Sequence, residues 1–310
     1  MVNRISPILK AKLIIQLQGS PKMAQIIMGA AAKHLTPVTL ELGAKCRAII
    51  DSLSSSWDKK IAMKRILSGK FGNCAGQVCI GIDYILVDKT FVNELVKLIK
   101  PWIPKMLGEN PKESHSISRI VKKNQFLRLK NLLDEPMVKK SIIYGGSSDE
   151  DNCEPTVLLD PPLQSTIMTD EIFGPLLPII TLDKIEDSIE FINAMPKPLT
   201  IYSFIKNEEF ERKITKGTSS GSLVSNDTII QYAADTLPFG GVGQSGFGRY
   251  HGKFSFDTFS HEKAIARRSF LTDIWFRYSP WSDHTLQLFR SAFIFDYLSV
   301  VLITLGLKWA

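Results

Sequence analysis

Cysteine is scarce in this sequence, because Cys46, Cys74, Cys79 and Cys153 are the only four among 310 residues. Four cysteines are too few for the disulfide framework of a secreted scaffold of this length, so that class of protein is excluded. Cys74 and Cys79 are separated by four residues, and no second Cys or His pair completes a zinc site. The histidines form no HExxH pattern. Reduced thiols, a cytoplasmic location and no metal site are therefore expected.

A basic block that would bind nucleic acid is also missing. The 38 Lys and Arg outnumber the 31 Asp and Glu, for a net charge of +7, but they are scattered along the chain. No basic face interleaved with aromatic residues is present, so no nucleic acid partner is expected. We interpret the charge as a solvated basic surface. The first residues lack an apolar run followed by a small-residue cleavage site, so no signal peptide is predicted.

A convincing membrane-spanning run is absent, although residues 292–307 are nearly all apolar and are interrupted by Asp296. A spanning helix needs about 20 residues, so this run is slightly short. It either lies on a membrane, spans one with help from its flanks, or packs as an ordinary helix. The tail therefore adds contact with a membrane, at the endoplasmic reticulum face, as an alternative to a purely cytoplasmic location.

Alternating strand and helix patterns predict an α/β layer fold. Ser20 suits a helix N-cap and Pro21 the first helical position. In the strand predicted over residues 38–42, Glu41 lies on the polar side and Gly43 follows the strand's end. Further helices are predicted over residues 57–69, 91–106, 117–132 and 210–216, strands over 80–87, 200–206 and 222–225, and a hairpin around 149–154.

Three side chains are candidates for chemistry on their local sequence. Cys79 follows a glycine-containing loop, where backbone amides could lower the pKa of the thiol and hold an oxyanion. The alternative is an inert buried cysteine at the start of a strand. Glu41 could act as a general base, or be an exposed strand residue or the ion-pair partner of Lys45. Glu171 could equally be a solvent-facing turn residue. Residues 238–251 are rich in glycine and predict a loop.

Four segments together resemble the aldehyde dehydrogenase family, of class 3 and plant type. Residues 39–45 (TLELGAK) resemble its glutamate motif and residues 76–79 (GQVC) its cysteine motif. Residues 171–175 (EIFGP) resemble the motif whose glutamate binds the nicotinamide ribose. The run LPFGGVGQSG, followed by YHGK and SFDTFSH, is very specific to class 3. The order of these motifs leaves little room for chance, and the resemblance covers residues 19–280.

The resemblance implies an aldehyde dehydrogenase-like three-layer α/β catalytic domain with a remnant of a Rossmann-type NAD-binding domain. It assigns the remnant to residues 1–45 and the catalytic domain to 46–225. Residues 226–265 are then an oligomerisation and active-site loop segment, and 266–310 an apolar tail. A homodimer, or pairing with a full-length paralogue, is expected.

The function implied is NAD- or NADP-dependent oxidation of aldehydes to carboxylic acids, with medium- or long-chain aliphatic substrates expected. Cys79 attacks the carbonyl and later carries a thioester, which Glu41 hydrolyses by activating water. The cofactor-binding residues implied are Gly19, Ser20, Leu42, Glu171, Phe173 and Phe239.

Departures from the family pattern leave other functions open. Family members carry a long region before the position of Gly19, with most of the dinucleotide-binding domain and an asparagine of the oxyanion hole. Residues 1–18 do not resemble the strand expected there, and Ala24 and Ala44 stand where glycines are common. A sheet without its first strands would expose edges, so a marginally stable chain is expected. The alternatives are an impaired chain that acts only as an oligomerisation partner, and cofactor-free esterase chemistry at Cys79 and Glu41.

Overall fold

The computed structural model describes residues 8–11, 14–72, 74–108, 110, 114, 117–149, 152–271, 273 and 275–308. The chain divides into two compact units, one of residues 11–261 and one formed by both chain ends, which includes residues from 262 onward. The predicted domain boundaries at residues 45, 225 and 265 stay predictions.

The strands are short, as is usual for a layered α/β protein. They are β1 (Ile8–Ala11), β2 (Ile15–Gly19), β3 (Val38–Leu42), β4 (Arg47–Ile50), β5 (Tyr84–Asp88), β6 (Ile142–Tyr144), β7 (Ser148–Asp149), β8 (Asn152–Cys153), β9 (Thr156–Leu159), β10 (Leu176–Leu182), β11 (Thr200–Phe204), β12 (Ser222–Ser225), β13 (Gly246–Phe247) and β14 (Ser260–Lys263). The hairpin predicted around residues 149–154 is present as β7 paired with β8.

The helices alternate with the strands through most of the chain. They are α1 (Pro21–Ala32), α2 (Ser56–Leu67), α3 (Val92–Leu107), α4 (Lys123–Asp134), α5 (Pro136–Lys139), α6 (Thr166–Thr169), α7 (Ser188–Asn193), α8 (Glu208–Gly217), α9 (Gly252–Phe259), α10 (Asp283–Phe293) and α11 (Tyr297–Thr304). Ser20 caps α1 as predicted, since its hydroxyl accepts a hydrogen bond from the Met23 amide, and Pro21 is the first helical residue.

A seven-stranded sheet, in the order β12-β11-β4-β5-β10-β9-β6, is the centre of the larger unit. Its neighbouring strands run parallel except for β6, which is antiparallel to β9. Alternate residues of strand β5 belong to two separate hydrophobic cores. Ile85 and Val87 belong to the first core, and Tyr84 and Leu86 belong to the second. Helices α2 and α3 cover the first core, and α4, α7 and α8 cover the second. The expected three-layer arrangement is therefore present.

A smaller sheet, in the order β13-β3-β2, contains a parallel βαβ unit made of β2, α1 and β3. This is the repeating unit of Rossmann-type folds. The expectation that residues 1–18 contain no matching strand was wrong, because Ile15–Gly19 is β2 and pairs in register with β3. Strand β2 is at the edge of this sheet.

Two predicted elements begin later than expected, each for a local reason. The strand predicted from residue 80 begins at Tyr84, because Gly81 N donates to Val78 O at 2.9 Å and closes a turn there. The helix predicted from residue 117 begins at Lys123. The Gln77 side chain bonds the backbone of Arg119 (3.0 Å) and Val121 (3.1 Å), which keeps the preceding segment out of the helix.

The apolar tail forms two helices that contact each other, α10 and α11. Asp296, the polar interruption in the run, caps α11 by accepting from Ser299 N at 3.0 Å. In the part of the chain that the structure describes, every helix is too short or too polar to traverse a bilayer. Large apolar side chains between the helices, including Phe293, Ile294 and Phe295, are exposed. Membrane contact through the tail stays a prediction.

Candidate active site

A cleft of about 1030 Å³ in the larger unit collects most of the residues singled out from the sequence. Four segments carry most of its lining: the loop between β2 and α1, the end of β3 with the residues after it, the turn before β5, and the loop before β10. Helix α4, the residues after α7 and Gln244 supply the rest. Six of the eight predicted site residues line it, namely Gly19, Ser20, Glu41, Cys79, Glu171 and Phe173. Residues that are distant in sequence therefore line a single cleft.

Glu41 is the most unusual side chain in the cleft. It lies in β3, opposite Gln18 of β2 and Gly246 of β13, and is only 4% exposed. Neither carboxylate oxygen has a hydrogen-bond partner among the described residues. Burial raises the pKa of Glu41 to about 7. An exposed strand residue is therefore excluded, and the carboxyl group suits proton transfer near neutral pH.

One alternative from the sequence was an ion pair between Glu41 and Lys45, but Lys45 has other partners. Its Nζ bonds Asp83 Oδ2 at 2.9 Å and the carbonyls of Ile167 and Asp170, each at 2.8 Å. These three hydrogen bonds tie the Lys45 ammonium to Asp83 and to the backbone just before Glu171.

Cys79 lies on the turn between the 3₁₀ helix Cys74–Gly76 and strand β5, with its side chain partly buried. Burial, followed by the charges of the Glu171 and Glu41 carboxyls, raises the pKa of the Cys79 thiol to about 11. Backbone N–H groups of Cys79 and Ile80 act in the opposite direction. The expectation of a lowered thiol pKa is therefore wrong, because desolvation and two nearby carboxyls outweigh the amides.

Glu171 projects from the loop between α6 and β10 and packs against Gly43, where a Cβ would collide with its carboxylate. The absence of a side chain at Gly43, just after β3, therefore leaves room for the Glu171 carboxylate in this position. Burial, followed by the charge of Asp83, raises the pKa of Glu171 to about 8. Glu171 is half-buried rather than a solvent-facing turn residue.

Sequence reasoning missed the groups that hold the Glu171 loop. On one side Asp83 accepts the Ile172 amide at 3.1 Å while it pairs with Lys45. On the other side Arg128 of α4 donates to the carbonyls of Glu171 and Ile172, and Gln125 donates to Phe173 O at 2.9 Å. No local signal marks these residues, because each acts on backbone more than 40 residues away.

The N-terminus of α1 lines the opposite end of the cleft with Gly19, Ser20 and Lys22. A Cβ added at Gly19 would meet nothing within 4 Å, so the space in front of the helix is open. The amides of a helix N-terminus and a lysine side chain both favour a phosphate.

Residues 10–265 match the model of the aldehyde dehydrogenase family. The chain belongs to this family. It is 55% identical over 292 residues to aldehyde dehydrogenase family 3 member F1 of Arabidopsis thaliana, covering 94% of this chain and 60% of that protein. To the mouse protein named dimeric NADP-preferring aldehyde dehydrogenase it is 44% identical over 257 residues, covering 82% and 55%. The class 3 resemblance is thereby confirmed.

Solved aldehyde dehydrogenase structures share the fold. One of Staphylococcus aureus AldH in a substrate-bound state superposes with a TM-score of 0.82 at 37% identity, covering 91% of this chain and 60% of that one. The α/β aldehyde dehydrogenase fold is thus confirmed. This aldehyde dehydrogenase chain spans about 60% of the length of the first relatives it matches.

Two alanines that replace family glycines are accommodated without strain. Ala24 is inside helix α1, and neither Ala24 nor Ala44 has a positive φ. Ala24 is 2% exposed and packs with Leu40 and Leu42. The backbone at both positions is therefore of a kind that any L-residue adopts.

Leu42 and Phe239 do not line the cleft of this aldehyde dehydrogenase chain, unlike the other predicted cofactor residues. Leu42 is 5% exposed, within the small core under α1. Phe239 is 3% exposed and its ring packs against Tyr232, Tyr250 and His251. Both side chains are packed in the interior and do not contact the cleft. The structure therefore does not place them with the other predicted site residues.

Replacing the buried Lys45 is expected to destabilise the fold strongly. Lys45→Met breaks the buried 2.9 Å pair with Asp83 and leaves Asp83 only the more distant Lys70 Nζ at 4.0 Å. Removing one partner of a buried pair typically costs about 3–5 kcal/mol of unfolding free energy. Lys89→Met removes a Lys–Asp pair of similar length, 2.8 Å to Asp183, whose partners are 58% and 83% exposed. Urea unfolding of both variants measures the difference. Equal midpoints for the two would contradict the structural importance of the buried pair.

Proposed function

We propose that this chain oxidises aldehydes to carboxylic acids with NAD or NADP as the hydride acceptor. The observation that carries the proposal is the shared cleft, in which the Cys79 thiol and the unpartnered Glu41 carboxyl face one space beside Glu171. A nucleophile and a base that meet in one cleft match the requirements of covalent catalysis.

Cys79 begins the reaction as a thiol, since its pKa is about 11. Glu41, with a pKa of about 7, accepts the thiol proton as the sulfur adds to the aldehyde carbon. The new C–S bond gives a thiohemiacetal, and the backbone N–H of Cys79 stabilises the carbonyl oxygen. A bound NAD(P) would supply the hydride acceptor for oxidation of this adduct to a thioester. Glu41, once its first proton has passed to solvent, takes a proton from water as the water attacks the thioester carbon. That proton returns to the departing Cys79 sulfur, so the carboxylic acid and the thiol are released.

The residues present suit the nicotinamide half of such a cofactor. The N-terminus of α1 with Ser20 and Lys22 would hold the pyrophosphate, and the Glu171 carboxyl would accept hydrogen bonds from the ribose hydroxyls. Clamping of the loop backbone by Arg128, Gln125 and Asp83 keeps Glu171 in place for that contact. Phe173 lines the same part of the cleft.

Substrate and partners follow from the family. Medium- or long-chain aliphatic aldehydes are proposed from the class 3 pattern and from the apolar tail, which would suit lipid-derived aldehydes at a membrane. A homodimer, or a pair with a full-length paralogue, is proposed because one relative is named dimeric.

The purified chain tests the proposal directly. Hexanal with NAD+ or NADP+ should produce NADH or NADPH, and equilibrium titration should show that the chain binds the cofactor. Neither binding nor NAD(P)H formation would contradict the proposal. Hydrolysis of a nitrophenyl ester without cofactor, lost in Cys79→Ala, would then favour thioester chemistry alone. Co-purification with a full-length relative would favour the role of an oligomerisation partner.

A further inference from the structure

The nucleophile candidate occupies a tight turn over residues 78–81. Gly81 N donates to Val78 O at 2.9 Å, which makes Cys79 and Ile80 the two central residues. In a β-turn, the peptide between the central residues is the one whose orientation distinguishes type I from type II. That peptide carries the Cys79 carbonyl and the Ile80 N–H, and Ile80 has no positive φ. The Ile80 N–H is also one of the two backbone groups that lower the pKa of the Cys79 thiol.

Cys46 contacts the other end of the same peptide. This cysteine lies just before β4, is 0% exposed, and its Sγ donates to Cys79 O at 3.3 Å. Thr200 N donates to the same sulfur at 3.3 Å, which fixes its position against β11. Burial raises the pKa of the Cys46 thiol far above its ordinary value, so the thiol keeps the proton it donates.

Tyr202 fixes the next carbonyl along the chain. Its hydroxyl donates to Ile80 O at 2.6 Å, and its ring is 0% exposed in the core. Gln231 donates to the Tyr202 oxygen at 3.3 Å and to Thr200 Oγ1 at 3.2 Å. Two successive carbonyls of the turn are therefore bonded to buried side chains supplied by two neighbouring strands of the large sheet.

We propose that Cys46 and Tyr202 are positioning residues for Cys79, which lock the central peptide of the turn so that its N–H stays directed at the nucleophilic sulfur. The proposal rests on the role of Cys79 in the proposed function. Neither residue lines the cleft, so each acts through the turn backbone rather than on substrate or cofactor. If the central peptide could tilt, the Ile80 N–H would stabilise the Cys79 thiolate less well. Less of Cys79 would then be thiolate at a given pH.

Alkylation of Cys79 by iodoacetamide tests this without aldehyde or cofactor, so a failure of the proposed oxidation would not be mistaken for a failure of the positioning role. The rate at Cys79, read by peptide mass mapping at a pH well below 11, is proportional to the thiolate fraction. Cys46→Ala and Tyr202→Phe are each expected to slow it about 3- to 10-fold, the usual effect of losing one hydrogen bond. Cys46→Ser retains a donor and should stay within about two-fold of the parent chain.

Matched controls separate positioning from general loosening of the core. Cys153→Ala removes another buried cysteine thiol, and Tyr84→Phe removes a buried hydroxyl that has no hydrogen-bond partner among the described residues. Both should leave Cys79 alkylation unchanged. The exposed Cys74 provides an internal reference in every sample.

Slower reaction at Cys79 alone, restored by Cys46→Ser, supports the positioning role. Cys79 alkylation rates in Cys46→Ala and Tyr202→Phe that equal or exceed the rate in the parent chain would overturn it. A faster rate would show that the substitutions loosen the core and expose the thiol. Slowing by Cys153→Ala or Tyr84→Phe to the same degree would overturn it too. If Cys46→Ala does not fold, Tyr202→Phe decides alone, because it removes a single oxygen atom.

Discussion

Cys79→Ala is expected to lower aldehyde-dependent NAD(P)H formation by at least about 1,000-fold, because Cys79 is the only thiol among the described residues that line the cleft. The measurement is the steady-state rate with hexanal under saturating cofactor. Cofactor binding, measured by titration of the same variant, should change little, since the sulfur does not hold the cofactor in the proposed site.

Cys74→Ala is the matched control for this prediction. Cys74 is exposed in the 3₁₀ helix that precedes the Cys79 turn, and Gln77 bonds its backbone carbonyl rather than its side chain. Its replacement should leave the rate within about two-fold of the parent chain, as for most surface substitutions. A loss in Cys74→Ala as large as that in Cys79→Ala would mean that the turn, and not the sulfur of Cys79, is what the reaction requires.

Glu41→Gln is expected to impair catalysis and stabilise the fold at the same time. Loss of the general base should lower the rate about 100- to 10,000-fold. The same carboxyl is buried without a hydrogen-bond partner among the described residues, so its ionisation in the folded chain is costly. Replacing an ionisable group that is buried for function by a neutral one therefore raises the free energy of unfolding.

The pH dependence of that stabilisation has a definite sign. The pKa of Glu41 is raised by burial from 4.5 to about 7. The unfolded chain therefore loses this proton first, and folding becomes less favourable as pH rises from 4.5 through 7. Glu41→Gln should thus raise the unfolding free energy by about 1–3 kcal/mol at pH 8 but by much less near pH 5. Urea melts at the two pH values measure this, with the exposed Glu208→Gln as control. A constant difference would contradict the desolvated state of Glu41.

Local patterns predicted the parts of the site that are written in short segments. Ser20 and Pro21 specify the start of α1, and alternation in β3 places Glu41 on one face with Gly43 after it. The pattern did not reveal that the polar face of β3 is buried. That burial comes from β2, from β13 and from the loop packed against Gly43, all of which are separate in sequence.

Long-range contacts account for what the sequence could not indicate. The Lys45–Asp83 pair joins residues 38 positions apart, and Arg128 reaches backbone 43 positions away. The direction of the pKa shift of Cys79 was predicted wrongly because the local amides were visible in the sequence, while the burial of the thiol and the nearby carboxyls of Glu171 and Glu41 were not. The burial of Phe239 was likewise not visible in the sequence, because its ring packs against the rings of Tyr232 and His251 in the folded chain.

Trapping the covalent intermediate tests the shared role of Cys79 and Glu41 most directly. In the Glu41→Gln variant both base-assisted steps are slowed, so mixing it with hexanal and NAD(P)+ should form a hexanoyl thioester on Cys79 slowly, together with NAD(P)H and a proton, and hydrolyse it more slowly still. Peptide mass mapping of the quenched reaction locates the acyl group. We predict that the acyl group on Cys79 accumulates in step with NAD(P)H up to one equivalent. An unmodified Cys79, or an acyl group on Cys74 instead, would contradict the account.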